Sequence, residues 1–135
     1  MQAIGRLEDG FRVRVQTGGH EYVLDEPVSQ GGTDQGAIPG EVLTAALVGC
    51  QAMVCRLWFR KNRIEPRSVE VVVDTEGEAN MKTGEIQQDF HSTVKVDADI
   101  TDEQMVELRD FVEQMCMVGT MLKQENKVTI AAERA

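Results

Sequence analysis

Two of the three cysteines in the chain stand where a thiol can do chemistry. Cys50 lies in the helical run PGEVLTAALVGC, and Cys116 opens the short run CMVGTML that follows an acidic helical stretch. They are far apart in sequence, so only tertiary structure can bring one sulfur to the other. Sulfurs brought together in this way support thiolate attack, sulfenic acid formation and disulfide closure. Cys55 stands about 140° round the same helix from Cys50, so the two cannot bridge within that helix. It reads as packing, because free cysteine is among the most buried residue types.

Other chemistry is less well supplied. His20 and His91 fall in strand-like stretches, and their spacing from the cysteines matches no zinc template, so no metal is expected. Met105, Met115, Met117 and Met121 recur at helical spacing and read as core, although such a set could also line a pliable apolar pocket. Asp97, Asp99, Asp102 and Glu103 lack the spacing of a calcium loop and read as a solvated cap. Asp34 and the glycines around it read as turn chemistry.

A formal charge of −9 and a pI near 4.7 exclude nucleic acid as a partner, since phosphate binding draws on clustered cations. The one basic cluster, RLWFRKNR from Arg56 to Arg63, ends a helix, where cations complement the dipole. With no unbroken apolar run near 18 residues and no charged-then-apolar leader, the expectation is a soluble cytoplasmic protein without membrane association. Three cysteines in such a protein argue for thiols kept reduced and for any disulfide being transient. At 135 residues and 41% hydrophobic, the whole of 1–135 is expected to form a single domain. The core must be mainly aliphatic, because the aromatics are four Phe, one Tyr and one Trp.

The elements that must position the thiols follow from periodicity. Residues 11–16 and 20–25 alternate about Thr17-Gly18-Gly19 and predict a hairpin. Pro27 to Pro39 reads as a loop, and a helix is expected from Pro39 to about Asn62, with Glu41 favouring its positive end. Leu43, Leu47, Cys50, Val54 and Leu57 predict one buried seam, and Ala45, Gly49 and Ala52 form a stripe of small residues that lets another backbone approach. Strands are expected at 67–76 and 88–97, joined by a polar segment from Gly77 to Gly84. Thr101 and Gln104 predict a capping box opening a helix that runs to Cys116, and the last strand is expected at Lys127 to Ala132. Strands that come in hairpins, with helices between the pairs, give an α+β class.

With those elements in place, the chain resembles the family of osmotically inducible protein C and organic hydroperoxide resistance protein. The resemblance lies in Gly31-Gly32-x-Asp34-x-Gly36-x-x-Pro39-x-Glu41-x-Leu43-x-x-Ala46-x-x-x-Cys50, in Cys116-x-Val118-x-x-x-Leu122, and in the order of elements over nearly the whole chain. It implies an intertwined homodimer with β-hairpins around a long central helix, each active site drawing on both subunits. It also implies reduction of small organic hydroperoxides by a Cys50/Cys116 redox pair without a cofactor, with Glu41 as a third site residue and a small dithiol or lipoyl-type reductant as partner.

Three departures from the hydroperoxide-reducing pattern mark a divergent, osmotically inducible protein C-like branch. Gly40 follows Pro39 where those members carry an acid, and the acid here is the next residue, Glu41. No motif fixes the activating arginine, although Arg12 and Arg14 lie on the first expected strand. Met117 follows Cys116 where proline is common. These features support an alternative of another class, a non-enzymatic dimer of the same fold that binds a small ligand or senses oxidation, and a third in which the cysteines only fill core.

Overall fold

Val13 and Val15 alternate with Arg14 and Gln16, and this stretch forms strand β2, Val13–Thr17, which pairs antiparallel with β3, His20–Leu24. The turn between them is Gly18-Gly19, both at positive φ (54° and 81°), the conformation a two-residue hairpin needs and glycine adopts without a Cβ penalty. The computed structural model describes residues 1–134 and adds a strand not expected from sequence. This is β1, Ala3–Leu7, on the other edge of β2, with Gly5 opposite Val15. All five of its residues are exposed, so it carries no in–out hydrophobic alternation by which to be read.

The backbone divides into two compact units, Met1–Ala45 and the remainder from Ala46. In the first, the loop after β3 is organised by Asp25, which is only 2% exposed. Its carboxylate accepts the N–H groups of Glu26 (2.8 Å), Thr33 (3.1 Å) and Gln35 (3.3 Å) and the Thr33 hydroxyl. The loop is so tightly drawn that a Cβ at Gly32 would sit 1.9 Å from the Glu26 carbonyl oxygen. One at Gly36 would sit 2.2 Å from that of Val23. Helix α1 spans Pro39–Asn62 as expected, with the Glu41 carboxylate accepting the Ile38 N–H at 3.1 Å.

The second unit holds most of α1, a two-stranded ribbon and two further helices. The ribbon strands β4, Ser68–Asn80, and β5, Glu85–Asp97, are longer than expected and pair without a break from Ser68↔Asp97 to Asn80↔Glu85. The polar stretch from Gly77 is therefore largely strand, because an exposed ribbon needs backbone pairing and not an apolar face. Helix α2, Asp102–Met115, begins with the expected capping box: Thr101 Oγ1 accepts the Gln104 N–H at 3.2 Å, and Gln104 Oε1 accepts the Thr101 N–H at 2.9 Å. Helix α3 follows at Met117–Lys123.

The core of this unit corrects the expected seam on α1. Val54, Cys55, Trp58 and Phe59 pack with Leu108 and Val112 of α2 and against Val69, Val94 and Val96 of the ribbon. Leu43 and Leu57 are 45% and 50% exposed. The two aromatic rings, in edge-to-face contact at 5.1 Å, bury more surface than Leu57 could, and so turn the C-terminal half of α1 toward the ribbon. Each large side chain so buried contributes roughly 1.5–3 kcal/mol.

A further expectation is corrected. Residues 127–132 form no strand, and Val128 and Ile130 are 83% and 93% exposed. A strand needs an edge to pair with, and alternation supplies only the side-chain pattern. Helix α1 is, by length and mean hydropathy alone, apolar enough to cross a membrane, although Thr44 and Gln51 interrupt its apolar run. Leu47, Val54, Cys55, Trp58 and Phe59 of that helix are buried within the chain itself.

Candidate functional site

Cys116 is set by the break between two helices. With φ −73° and ψ 102° it is at once the C-cap of α2 and the N-cap of α3. Its N–H donates to the Val112 carbonyl at 3.0 Å, and its own carbonyl accepts the Thr120 N–H at 2.9 Å and the Thr120 hydroxyl at 3.0 Å. Its sulfur takes the role a serine or aspartate plays at a helix start, accepting the Gly119 N–H at 3.3 Å. Gly119 is constrained by this contact, since a Cβ there would lie 3.3 Å from the Cys116 Sγ.

Cys50 arrives from α1 and meets this break. Its sulfur faces the Cys116 thiol and the Val118 and Met117 N–H groups. Burial pushes the Cys50 thiol up, but the Val118 N–H, the Cys116 thiol and the Met117 N–H together hold it below the ordinary thiol value. For Cys116 burial dominates, and despite the Gly119 N–H the neighbouring Cys50 sulfur adds to the rise. One thiol of the pair is thus poised as nucleophile and the other kept protonated. The two sulfurs picked out in the sequence are brought together, in the free state.

The other sequence candidates stand elsewhere. Cys55 is fully buried in the core, where burial pushes its thiol up to about 11. Glu41 is engaged at the start of α1. Arg12 and Arg14 both bind Glu8, through Nε at 2.7 Å and 2.6 Å, and Arg14 also binds Glu21 at 2.7 Å. Sequence reasoning missed Gly119 and the main-chain N–H groups of Met117 and Val118. The only sequence signal for them was a cysteine at a helix start, which is a capping position.

Beside the thiol pair runs an open cavity of about 690 Å³, bounded by α1, β5, α2 and α3. Leu47, Leu108 and Val112 give it an apolar floor, and Cys116 lines it.

Comparison with solved structures gives the fold a context. An OsmC-like protein from Mycoplasma pneumoniae superposes with a TM-score of 0.79 at 16% identity, over 90% of this chain and 86% of that one. The organic hydroperoxide resistance protein OhrB of Bacillus subtilis gives 0.66 at 15% identity, covering 90% and 89%. An organic hydroperoxide resistance protein from Vibrio cholerae, with captopril bound in one of its active sites, gives 0.65 at 16% identity, covering 91% and 85%. No curated protein matches the sequence. Residues 32–131 match the family described as OsmC-like protein. The matched span holds both cysteines of the pair, and the chain belongs to the OsmC-like family.

Proposed function

We propose that this protein is a thiol-dependent peroxidase for small organic hydroperoxides, with Cys50 as the attacking thiolate and Cys116 as the resolving thiol. The observation that carries the reading is the contact between the two sulfurs, with main-chain N–H groups holding Cys50 as the more acidic of the two. The names of the hydroperoxide resistance proteins that share its fold support it.

In the first step the Cys50 thiolate attacks a peroxide oxygen. The S–O bond forms as the O–O bond breaks, and the alkoxide leaves as alcohol after taking a proton. Cys50 is then a sulfenic acid, and attack by the Cys116 sulfur forms the disulfide and releases water. A small dithiol or lipoyl-type reductant restores both thiols by exchange. The working unit is a soluble, cytoplasmic homodimer of single-domain chains that needs no cofactor, with Glu41 contributing to the site across the dimer. The small-residue stripe of α1 suits such packing, because a Cβ added at Gly49 meets nothing within 4 Å.

A second reading, oxidation sensing or ligand binding without turnover, is favoured by the engagement of Arg12 and Arg14 with Glu8. Peptide mass spectrometry separates the two. Reduced protein treated with one equivalent of an organic hydroperoxide, and in parallel with hydrogen peroxide, is expected to form a Cys50–Cys116 disulfide faster with the organic peroxide, and to turn over when a dithiol is added. Thiols that stay reduced in the folded protein would overturn the peroxidase. A disulfide that forms without turnover would leave a sensor.

A further inference from the structure

Peroxidase chemistry uses the Cys50 and Cys116 sulfurs one after the other, but their placement also allows both to act at once. Cys50 faces Cys116 from α1, and both thiols are free. The turn of α1 that precedes Cys50 is pressed against the same helix break. A Cβ built at Gly119 would lie 3.3 Å from Cys116 Sγ and 3.6 Å from Leu47 Cδ1. Cys116 is only 2% exposed and Cys50 is half-buried, so the fold holds both sulfurs at one shielded place without a disulfide. Two thiolates so held are a pair of soft ligands, which favours soft cations over hard ones.

The composition of the site narrows the ion further. Among the described residues, no three or more His, Cys, Asp or Glu side chains are grouped so as to hold a metal. The third thiol, Cys55, is fully buried in the core. Asp89 and Glu113 line the cavity beside Cys116, yet neither joins the two sulfurs in such a group. Zinc takes four ligands, and on two thiolates it would have to keep water in its other positions, beside a sulfur that solvent barely reaches. Calcium and magnesium need oxygen ligands, which the pair does not offer. Copper(I), a soft closed-shell monovalent cation that two sulfurs can satisfy, has neither need.

We propose that Cys50 and Cys116 together bind one copper(I) ion within a single chain. The ion takes the place of the two thiol protons. Copper(I) and two thiols give an anionic copper dithiolate and two protons, with no change of oxidation state. Main-chain N–H groups meet the negative charge: that of Gly119 donates to Cys116 Sγ at 3.3 Å, and those of Met117 and Val118 face the Cys50 sulfur. Hydrogen bonds to ligand atoms of this kind support metal affinity. An ion that occupies both sulfurs leaves neither free to attack, so copper binding and thiol oxidation exclude one another. Binding needs the two thiols but no turnover, and it therefore stands apart from the peroxidase reading.

The test uses the reduced full chain under anaerobic conditions, with copper(I) supplied as its bathocuproine disulfonate complex. Each chain is expected to withdraw one ion from the chelator, and copper X-ray absorption to show two sulfur neighbours without nitrogen or oxygen. Cys50→Ser and Cys116→Ser should each lower the affinity by more than about 100-fold, beyond what loss of a supporting hydrogen bond costs. A smaller loss in either folded variant would overturn the assignment. In the unsubstituted chain, nitrogen or oxygen neighbours, one ion per two chains, or displacement of the copper by an equal concentration of zinc would overturn it as well.

A second measurement locates the ion. Iodoacetamide labelling of Cys50 should stop on addition of one equivalent of copper(I) and resume when excess chelator removes it. Labelling that continues in the copper-loaded chain would place the ion elsewhere and overturn the proposal.

Discussion

Cys50 and Cys116 stand as neighbours, and each shifts the other's thiol, the first down and the second up. The groups that hold the Cys50 thiol down against burial are the Val118 N–H, the Cys116 thiol and the Met117 N–H. Main-chain N–H groups at a helix start, fixed by the fold, thus favour the Cys50 thiolate.

The three thiols are therefore expected to alkylate in a fixed order. Iodoacetamide labelling followed by peptide mass spectrometry across pH should show Cys50 reacting with a midpoint below the ordinary thiol value of about 8.5. Cys116 should react above it, and Cys55 only on unfolding. In Cys116→Ala the Cys50 midpoint should rise, because a donor to the thiolate is lost. An unmoved midpoint would assign the effect to the main chain alone.

Glu41 separates a role in the helix from a role in the site. Glu41→Gln keeps an acceptor for the Ile38 N–H but removes the charge. Helix stability should fall by roughly 0.3–1 kcal/mol, the usual size of a dipole interaction. If Glu41 acts at the site across a dimer, the rate of Cys50 oxidation by hydroperoxide should also fall by about tenfold, equivalent to about 1.4 kcal/mol. An unchanged rate would confine Glu41 to the helix start.

Asp25 makes stability depend on acid pH. The Thr33 hydroxyl, outweighing burial together with the Gln35, Glu26 and Thr33 N–H groups, holds its carboxyl below its ordinary value. A folded pKa below the unfolded one gives stability that is full above the unfolded value, about 3.9, and is lost as pH falls through the folded one. Urea unfolding at stepped pH should show this acid loss, and Asp25→Asn should flatten it while lowering stability near neutrality.

Gly32 is expected to refuse any side chain. A Cβ 1.9 Å from the Glu26 carbonyl oxygen forces main chain to move, so Gly32→Ala should destabilise by about 1–3 kcal/mol in urea unfolding. Gly10→Ala makes a control of another kind. It has open space around it and carries only the cost of its φ of +63°.

Much of this architecture was legible in the chain. Thr101 and Gln104 specify a helix start by local hydrogen bonding, Gly18-Gly19 a tight turn by backbone freedom, and Pro39 the first turn of α1 by its fixed φ. These signals act within a few residues and need no partner. β1 escaped notice because its side chains are all exposed, and only its pairing with β2 defines it. Val128 and Ile130 misled for the opposite reason, since they carry the alternation of a strand and have no edge to join within the described residues.

The sequence by itself determined which residues could react and which local elements would carry them, because propensity, capping and turn chemistry are short-range. Tertiary structure alone decided that Cys50 meets Cys116, that Cys55 is sealed beside Phe59, and that Gln51 faces a cavity with one atom unpaired among the described residues. Each of these depends on how α1 rolls against the ribbon and α2. That roll is set by the summed burial of Val54, Trp58, Phe59, Leu108 and Val112, a non-directional quantity that no short stretch of sequence contains.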